Sequence, residues 1–277
     1  MNKLLNAGFN RLRKDTVFWV MMAAISLYSL INIWSGADSF QTMVQVGFVV
    51  TLDDYYFNQA PLLGIFFAVF VSLFLGAEYS DGMMRNKLSI GYTRVQVYLS
   101  NFLICLSANL ALLLSWVICE IPGFFLIGPM KMGLSGYLTY LMIAIGFTAA
   151  FTAIFTLVGT LTTNKAFSVV LTLIAFIGMA LAASALNDRL CEPEMHGGMA
   201  FMDGEFVEIE ETPNPLYLTG MVRFICECFL DLLPTGQSIL MSDVLIEHPV
   251  RQILSALSVT ILVTIAGISL FRKKDIR

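Results

Sequence analysis

Charge is what this sequence goes without over long distances. Six stretches contain no Asp, Glu, Lys or Arg: residues 16–37, 55–77, 95–119, 137–164, 166–187 and 252–271. A bilayer core about 30 Å thick takes roughly 20 apolar residues in a helix, so each stretch is long enough to cross it. Charged residues make up 13% of the chain and hydrophobic ones 57%, against about 25% charged in an ordinary globular domain. A soluble domain is excluded, and the composition reads as an all-α membrane protein of six spans.

Histidine is almost absent, with only His196 and His248, and neither lies in a charge-free run. Ser135 in Gly133-Leu-Ser-Gly136 has the spacing of an intramembrane serine-protease nucleophile. That chemistry needs a base at membrane depth, which the sequence does not offer. The chain also lacks a His-Glu-x-x-His, and no glycine is followed by lysine, which removes the zinc-protease and P-loop readings. His196 near Glu192, Glu194 and Asp203 makes a poor metal site, with one imidazole among flexible carboxylates. No catalytic, cofactor or metal site is therefore expected in this chain, and energy for active transport would come from a partner. Of the ionisable residues that an ion-coupled carrier would need at membrane depth, Glu78 and Glu120 come closest, each at the end of a span. Asn32, Asn101 and Asn109 read as polar glue between helices.

Where the charges do fall gives an orientation. Twelve of the sixteen basic residues lie before the first run, between the second and third, between the fourth and fifth, or after the sixth. By the positive-inside rule both termini are cytoplasmic. The first run is too long for a cleaved secretory signal, although Ser35-Gly36-Ala37 resembles a cleavage site. Ahead of it, residues 1–14 place Leu4, Leu5, Phe9 and Leu12 on one helical face and Lys3, Asn6, Asn10, Arg13 and Lys14 on the other. Such a helix lies in the headgroup plane.

The inner loop, residues 78–94, reads as a short helix between hinges. Ser80 or Asp81 is the expected cap, Met84 and Leu88 share a face, and Gly91 is the stop. Thr93 and Gln96 have capping-box spacing at the start of the third span. Apolar and basic side chains together suit docking on a soluble partner, and equally a loop held to headgroups by its cations. Residues 188–250 differ in kind. They carry twelve acidic residues against Arg189 and Arg223, for a net charge of −10, and five of the eight prolines. The first half is expected to form a hairpin or loop. The second is expected to form two helices, residues 216–233 and 235–247, hinged at Pro234 and Gly236 and dipping into the outer leaflet. Cys191 has Cys226 or Cys228 as a possible disulfide partner. Gly146-x-x-x-Ala150 and Gly178-x-x-x-Ala182 allow close helix approach, within one chain or across a dimer.

The chain resembles the ABC-2 type permease subunits of bacterial ABC exporters. The likeness rests on Glu78, on Gly82-Met-Met-Arg-Asn-Lys-Leu-Ser-Ile-Gly-Tyr-Thr-Arg94, on Asn214-Pro-Leu-Tyr217, on Leu233-Pro-Thr-Gly-Gln237 and on Leu270-Phe-Arg-Lys-Lys-Asp275. It implies a type V exporter-like fold: a connecting helix at 1–15, five transmembrane helices over 16–187, an acidic outer segment with re-entrant helices over 188–250, and a last helix with a basic tail over 251–277. It also implies two permease chains, expected to be identical, and a separate ABC ATPase that binds ATP and Mg. No nucleic acid is implied. On this resemblance the inner loop is a coupling helix, with Glu78, Asp81, Gly82, Met84, Arg85, Asn86, Lys87, Leu88, Gly91 and Arg94 as its ATPase-coupling residues. Phe66, Phe67 and Phe70 are the expected cavity lining. The cargo expectation is an amphipathic or cationic peptide of the bacteriocin or modulin kind, or a hydrophobic drug, in export or immunity. An ion-coupled carrier or channel and a non-transporting peptide sensor are the alternatives.

Overall fold

The computed structural model describes residues 1–45, 51–128, 130–202 and 205–274. Asp203, Asp275 and Arg277 lie outside the described residues. The order is α1 (Asn2–Lys14), α2 (Thr16–Gln45), α3 (Asp53–Tyr56), α4 (Ala60–Ser80), α5 (Met83–Ser89), α6 (Arg94–Cys119), α7 (Gly123–Leu126), α8 (Gly133–Leu161) and α9 (Lys165–Leu190). A hairpin of β1 (Met195–Met202) and β2 (Glu205–Pro213) follows, then α10 (Gly220–Leu232), α11 (Pro234–Ser242) and α12 (Pro249–Lys273). Six of the described helices are long and apolar enough to cross a bilayer, one for each charge-free run. The chain is an all-α multi-pass membrane protein.

Local chemistry sets where these helices begin. Asp15 Oδ1 accepts from Phe18 N at 3.1 Å, so the last charge before the first run caps α2. Thr93 and Gln96 form the full capping box on α6. Asn164 Oδ1 accepts from the amides of Ala166 and Phe167 at the start of α9. Each such cap satisfies amides that a helix start leaves open, typically for about 1 kcal/mol.

The core lies between α4 and α8. Phe67, Phe70 and Phe74 of α4 and Phe147, Phe151 and Phe155 of α8 are all buried. Phe151 stacks on Phe155 with ring centroids 5.5 Å apart, and Phe67 meets Phe151 edge-on at 6.4 Å. A polar seam runs beside this aromatic wall, on Thr148, Thr152, Thr156 and Thr160. Three of these hydroxyls bond back to carbonyls one turn earlier, and Asn109 Nδ2 of α6 reaches Thr152 Oγ1 at 2.9 Å. Gly146 brings α8 against α12, because a Cβ there would sit 3.1 Å from Ala256 Cβ. Gly178 on α9 is exposed, and a Cβ there would meet nothing within 4 Å among the described residues.

α1 and the last turn of α12 lie at one end of the bundle. Leu4 of α1, Met84 of α5, Val97 and Tyr98 of α6 and Phe271 of α12 form a satellite core there. The opposite end carries the hairpin, whose base is closed by Asn214. Its Nδ2 donates to Glu192 Oε2 at 2.9 Å and to Pro193 O at 2.8 Å, and its Oδ1 accepts from Leu216 N at 2.8 Å. Because Leu216 and Tyr217 are held in this turn, the first expected helix starts at Gly220 instead. The second ends at Ser242, where Val244 takes the left-handed region with φ of 55° and Leu245 N bonds back to Leu240 O.

α10 and α11 bend by 100° at Leu233, giving a broken span or re-entrant loop. The bend drives α11 inward, and Thr235 Oγ1 donates to Met179 O, in the middle of α9, at 2.9 Å. Gly236 is required at this corner, since a Cβ would lie 2.1 Å from Leu230 O. The possible Cys191 bridge is not formed, and all five cysteines are free. His196 is exposed, and no group of three or more His, Cys, Asp or Glu gathers to hold a metal among the described residues.

Backbone cannot yield as a flexible side-chain tip does. Gly236→Ala is therefore expected to lower stability by about 2 kcal/mol or more, whereas Gly178→Ala leaves it unchanged or slightly raised. Thermal unfolding of the two variants in detergent checks the contrast.

Candidate functional site

The chemically richest place at the terminal end is built around Glu78. Its carboxylate closes the last turn of α4 and is 1% exposed. Glu78 Oε1 accepts from Lys87 Nζ of α5 at 2.6 Å, and Oε2 accepts from Asn101 Nδ2 of α6 at 2.9 Å. Arg11 of α1 places Nη1 2.9 Å from the same Oε1 as an ion pair, while its Nη2 donates to Phe74 O at 2.9 Å. The guanidinium also lies 4.2 Å over the Phe74 ring. Lys87 Nζ has a second acceptor in Asn101 Oδ1 at 3.1 Å. One carboxylate thus ties together α1, α4, α5 and α6.

Two glycines let α5 sit where this requires. Gly82 (φ 67°) opens the helix and Gly91 (φ 101°) follows its end. The expected cap at Ser80 or Asp81 is not used. Asp81 instead closes α4, and α5 starts on Gly82 with no side-chain cap. Met84 is buried under the helix, with Leu88 packed beside it. Eight of the ten coupling residues expected from the sequence therefore divide into two sets. Glu78, Met84, Lys87 and Leu88 point into the bundle. Asp81, Arg85, Asn86 and Gly91 are exposed, together with Ser89 and Ile90, the latter 76% exposed. An isoleucine left open beside Arg85 forms a short apolar and basic ridge.

Arg94 belongs to a second lock at the same end. Its Nη1 donates to Phe271 O at 3.0 Å and to Lys274 O. Lys274 Nζ donates to Thr160 O at 2.9 Å and to Tyr79 Oη at 3.0 Å, and lies 4.2 Å over the Tyr79 ring. These acceptors are neutral, and burial pushes the Lys274 ammonium down to about 8. The last turn of α12 is thereby fastened to α4, α6 and α8.

Phe67 and Phe70 lie in the buried core, Phe70 against Phe18 and Phe74, and Phe66 packs partly buried beside them. None of the three lines a described cavity. Two polar arrangements were not legible in advance. Arg11 reads in the sequence as one of several cations before the first span, yet it alone reaches a buried acid. Glu120 reads only as a span end. It is buried, with Gln59 Nε2 donating to its Oε1, while Tyr56 and Tyr137 share a 2.7 Å hydroxyl contact nearby.

Removing one member of a buried ion cluster strands the others, at roughly 3 kcal/mol or more. Glu78→Gln is expected to cost about that much in detergent melts, while Arg85→Gln, on the exposed ridge, changes melting little. Lys274 gives a pH signature. Its folded value lies below the ordinary lysine value, so the unfolded chain holds the extra proton between about 8 and 10.5. Wild type should therefore gain stability relative to Lys274→Met as pH rises through that window. Melting temperatures of the pair across it supply the check.

No curated protein matches this chain. A family model does: that of the ABC-2 family transporter protein matches residues 4–179. The match spans well over half of the chain, from α1 through the Glu78 cluster into α9. The chain belongs to the ABC-2 family of transporter proteins, and is a transmembrane subunit of an ABC transporter.

Proposed function

We propose that this chain is the permease half of an ATP-driven exporter, working as a pair of identical chains with a separate ABC ATPase seated on the α5 ridge and α1. The observation that carries this reading is the Glu78 cluster. A partner pressing on Arg85 and Ile90 pushes a helix whose Lys87 is bonded to α4 and α6 through one buried carboxylate. The load passes directly into two spans. ATP and Mg belong to the partner in this reading, and this chain's part is mechanical. The basic distribution supports placing the terminal end in the cytoplasm of a cell membrane. The open Gly178 face and the mostly exposed faces of α2 and α9 support pairing with a second copy.

The proposed cargo is an amphipathic or cationic peptide, or a hydrophobic drug, moved outward. The support is the net charge of −10 over residues 188–250, which attracts cations to the far mouth of the path. Export of such a peptide would confer resistance to it.

Arg85→Glu combined with Ile90→Asp tests the docking ridge. The double variant should keep its melting temperature, lose co-purification of the ATPase by more than about tenfold, and lose transport with it. Equal recovery of the ATPase from wild type and variant overturns the assignment of the ridge.

A further inference from the structure

At the hairpin end α6 stops at Glu120, an acid that is fully buried, at 0% exposed. Glu78 and Asp231 are buried as well, but each is paired with a cation. Glu120 takes part in no ion pair among the described residues. The sequence gives the reason. No Lys or Arg occurs between Lys14 and Arg85, or between Arg94 and Lys131. Of the cations at that end, Lys131 and Arg189 are exposed, while Arg223 and Arg251 are spent on Glu227 and Asp231.

What surrounds Glu120 carries no positive charge. Gln59, 2% exposed, bonds to Oε1 at 2.5 Å and accepts the hydroxyl of Ser29 on α2 at 3.4 Å. Trp116, one turn back on α6, is the other donor to the carboxyl. The titratable neighbours are Tyr56 of α3 and Tyr137 of α8, whose hydroxyls meet at 2.7 Å. Asp53 of α3, 3% exposed, accepts the Lys131 amide at 2.6 Å and adds a further acid to this end. Cys119, the preceding residue, is a free thiol. Neither α7 nor α4 ahead of Glu78 has a titratable side chain.

A buried carboxylate without a counter-charge is so costly that the group takes up a proton instead. The Gln59 contact fits that state, since 2.5 Å lies below the usual N–H···O range and within that of O–H···O. A side-chain amide has nearly the same shape turned by half a rotation. In that orientation the Gln59 carbonyl accepts the carboxylic proton, and its NH2 donates to Ser29 Oγ.

We infer that Glu120 is a neutral carboxylic acid in this conformation and acts as a proton-operated latch, its ionisation opening the turns around it to water. The covering suits such opening. α3 and α7 are four residues each, and short elements with few buried contacts open more readily than packed spans. The latch belongs to the chain alone and rests on neither export nor the ATPase.

The closed form holds one proton that the opened form releases. Above the ordinary glutamic-acid value of about 4.3, opening should therefore rise with pH by up to about tenfold per unit. Hydrogen–deuterium exchange of the full chain in nanodiscs, corrected for intrinsic rates, reads that opening. From about pH 5 to about pH 8 the amides of α3 and α7 should lose protection by about tenfold or more in wild type. Glu120→Gln, which imitates the neutral acid, should stay flat over the same range and melt at or above wild type at neutral pH. Infrared difference spectra of the pair should carry the carbonyl stretch of a protonated carboxyl. Protection that does not change with pH in wild type, a variant that melts lower, or a carboxylate band in place of the acid each overturns the proposal.

Discussion

A carboxylate that leaves water at the end of a transmembrane helix must be matched in place, and Glu78 sets that condition for the terminal end of this protein. Taking such an ion out of water costs several kcal/mol even after relaxation. The cost is offset only when cations and donors arrive from fixed directions. Here they come from three other helices: Arg11 on α1, Lys87 on α5 and Asn101 on α6. Each of those helices is otherwise free to lie in many positions on an apolar surface, because apolar contact has no direction. The ion cluster supplies the direction. Met84, Leu4 and Tyr98 then close over it as a small satellite core.

The two ends of the bundle use the same chemistry to different effect. At the terminal end every acceptor on Glu78 is used, and the helices around it become one body. At the hairpin end Arg251 of α12 holds Asp231 and Glu227, both on α10, and so ties two helices where Glu78 ties four. Between them lies an aromatic core on α4 and α8 with a threonine seam, which is stiff and carries no charge.

Much of this was legible in the sequence, because bilayer physics is severe. Charge-free runs of about 20 residues admit little besides spanning helices. Capping by Thr93 and the sharp corner at Pro234 and Gly236 follow from local rules. The loop between the second and third spans was readable as a helix, but its cap was not. Ser80 and Asp81 are better caps by type, yet α4 runs on to Ser80, so the turn falls on Gly82. What local rules cannot supply is pairing at long range. Arg11 and Glu78 are 67 positions apart, and nothing in either neighbourhood distinguishes Arg11 from Arg13. The direction of Lys87, inward to Glu78 and not outward to a partner, depends on the same packing. The burial of Phe67 and Phe70 was not legible for a related reason, since an aromatic stripe on a span suits a cavity and a core alike.

Hydrogen–deuterium exchange of the Arg11→Met variant tests the central claim, that one ion cluster makes α1, α4, α5 and α6 move together. Arg11 lies on α1, and its ion pair, hydrogen bond and ring contact are with Glu78 and Phe74 of α4. If the cluster is the tie, loss of Arg11 accelerates exchange in α5 and in the first turns of α6 as well as in α1. If exchange rises in α1 alone and α5 keeps its protection, the helices are held independently and the account is wrong.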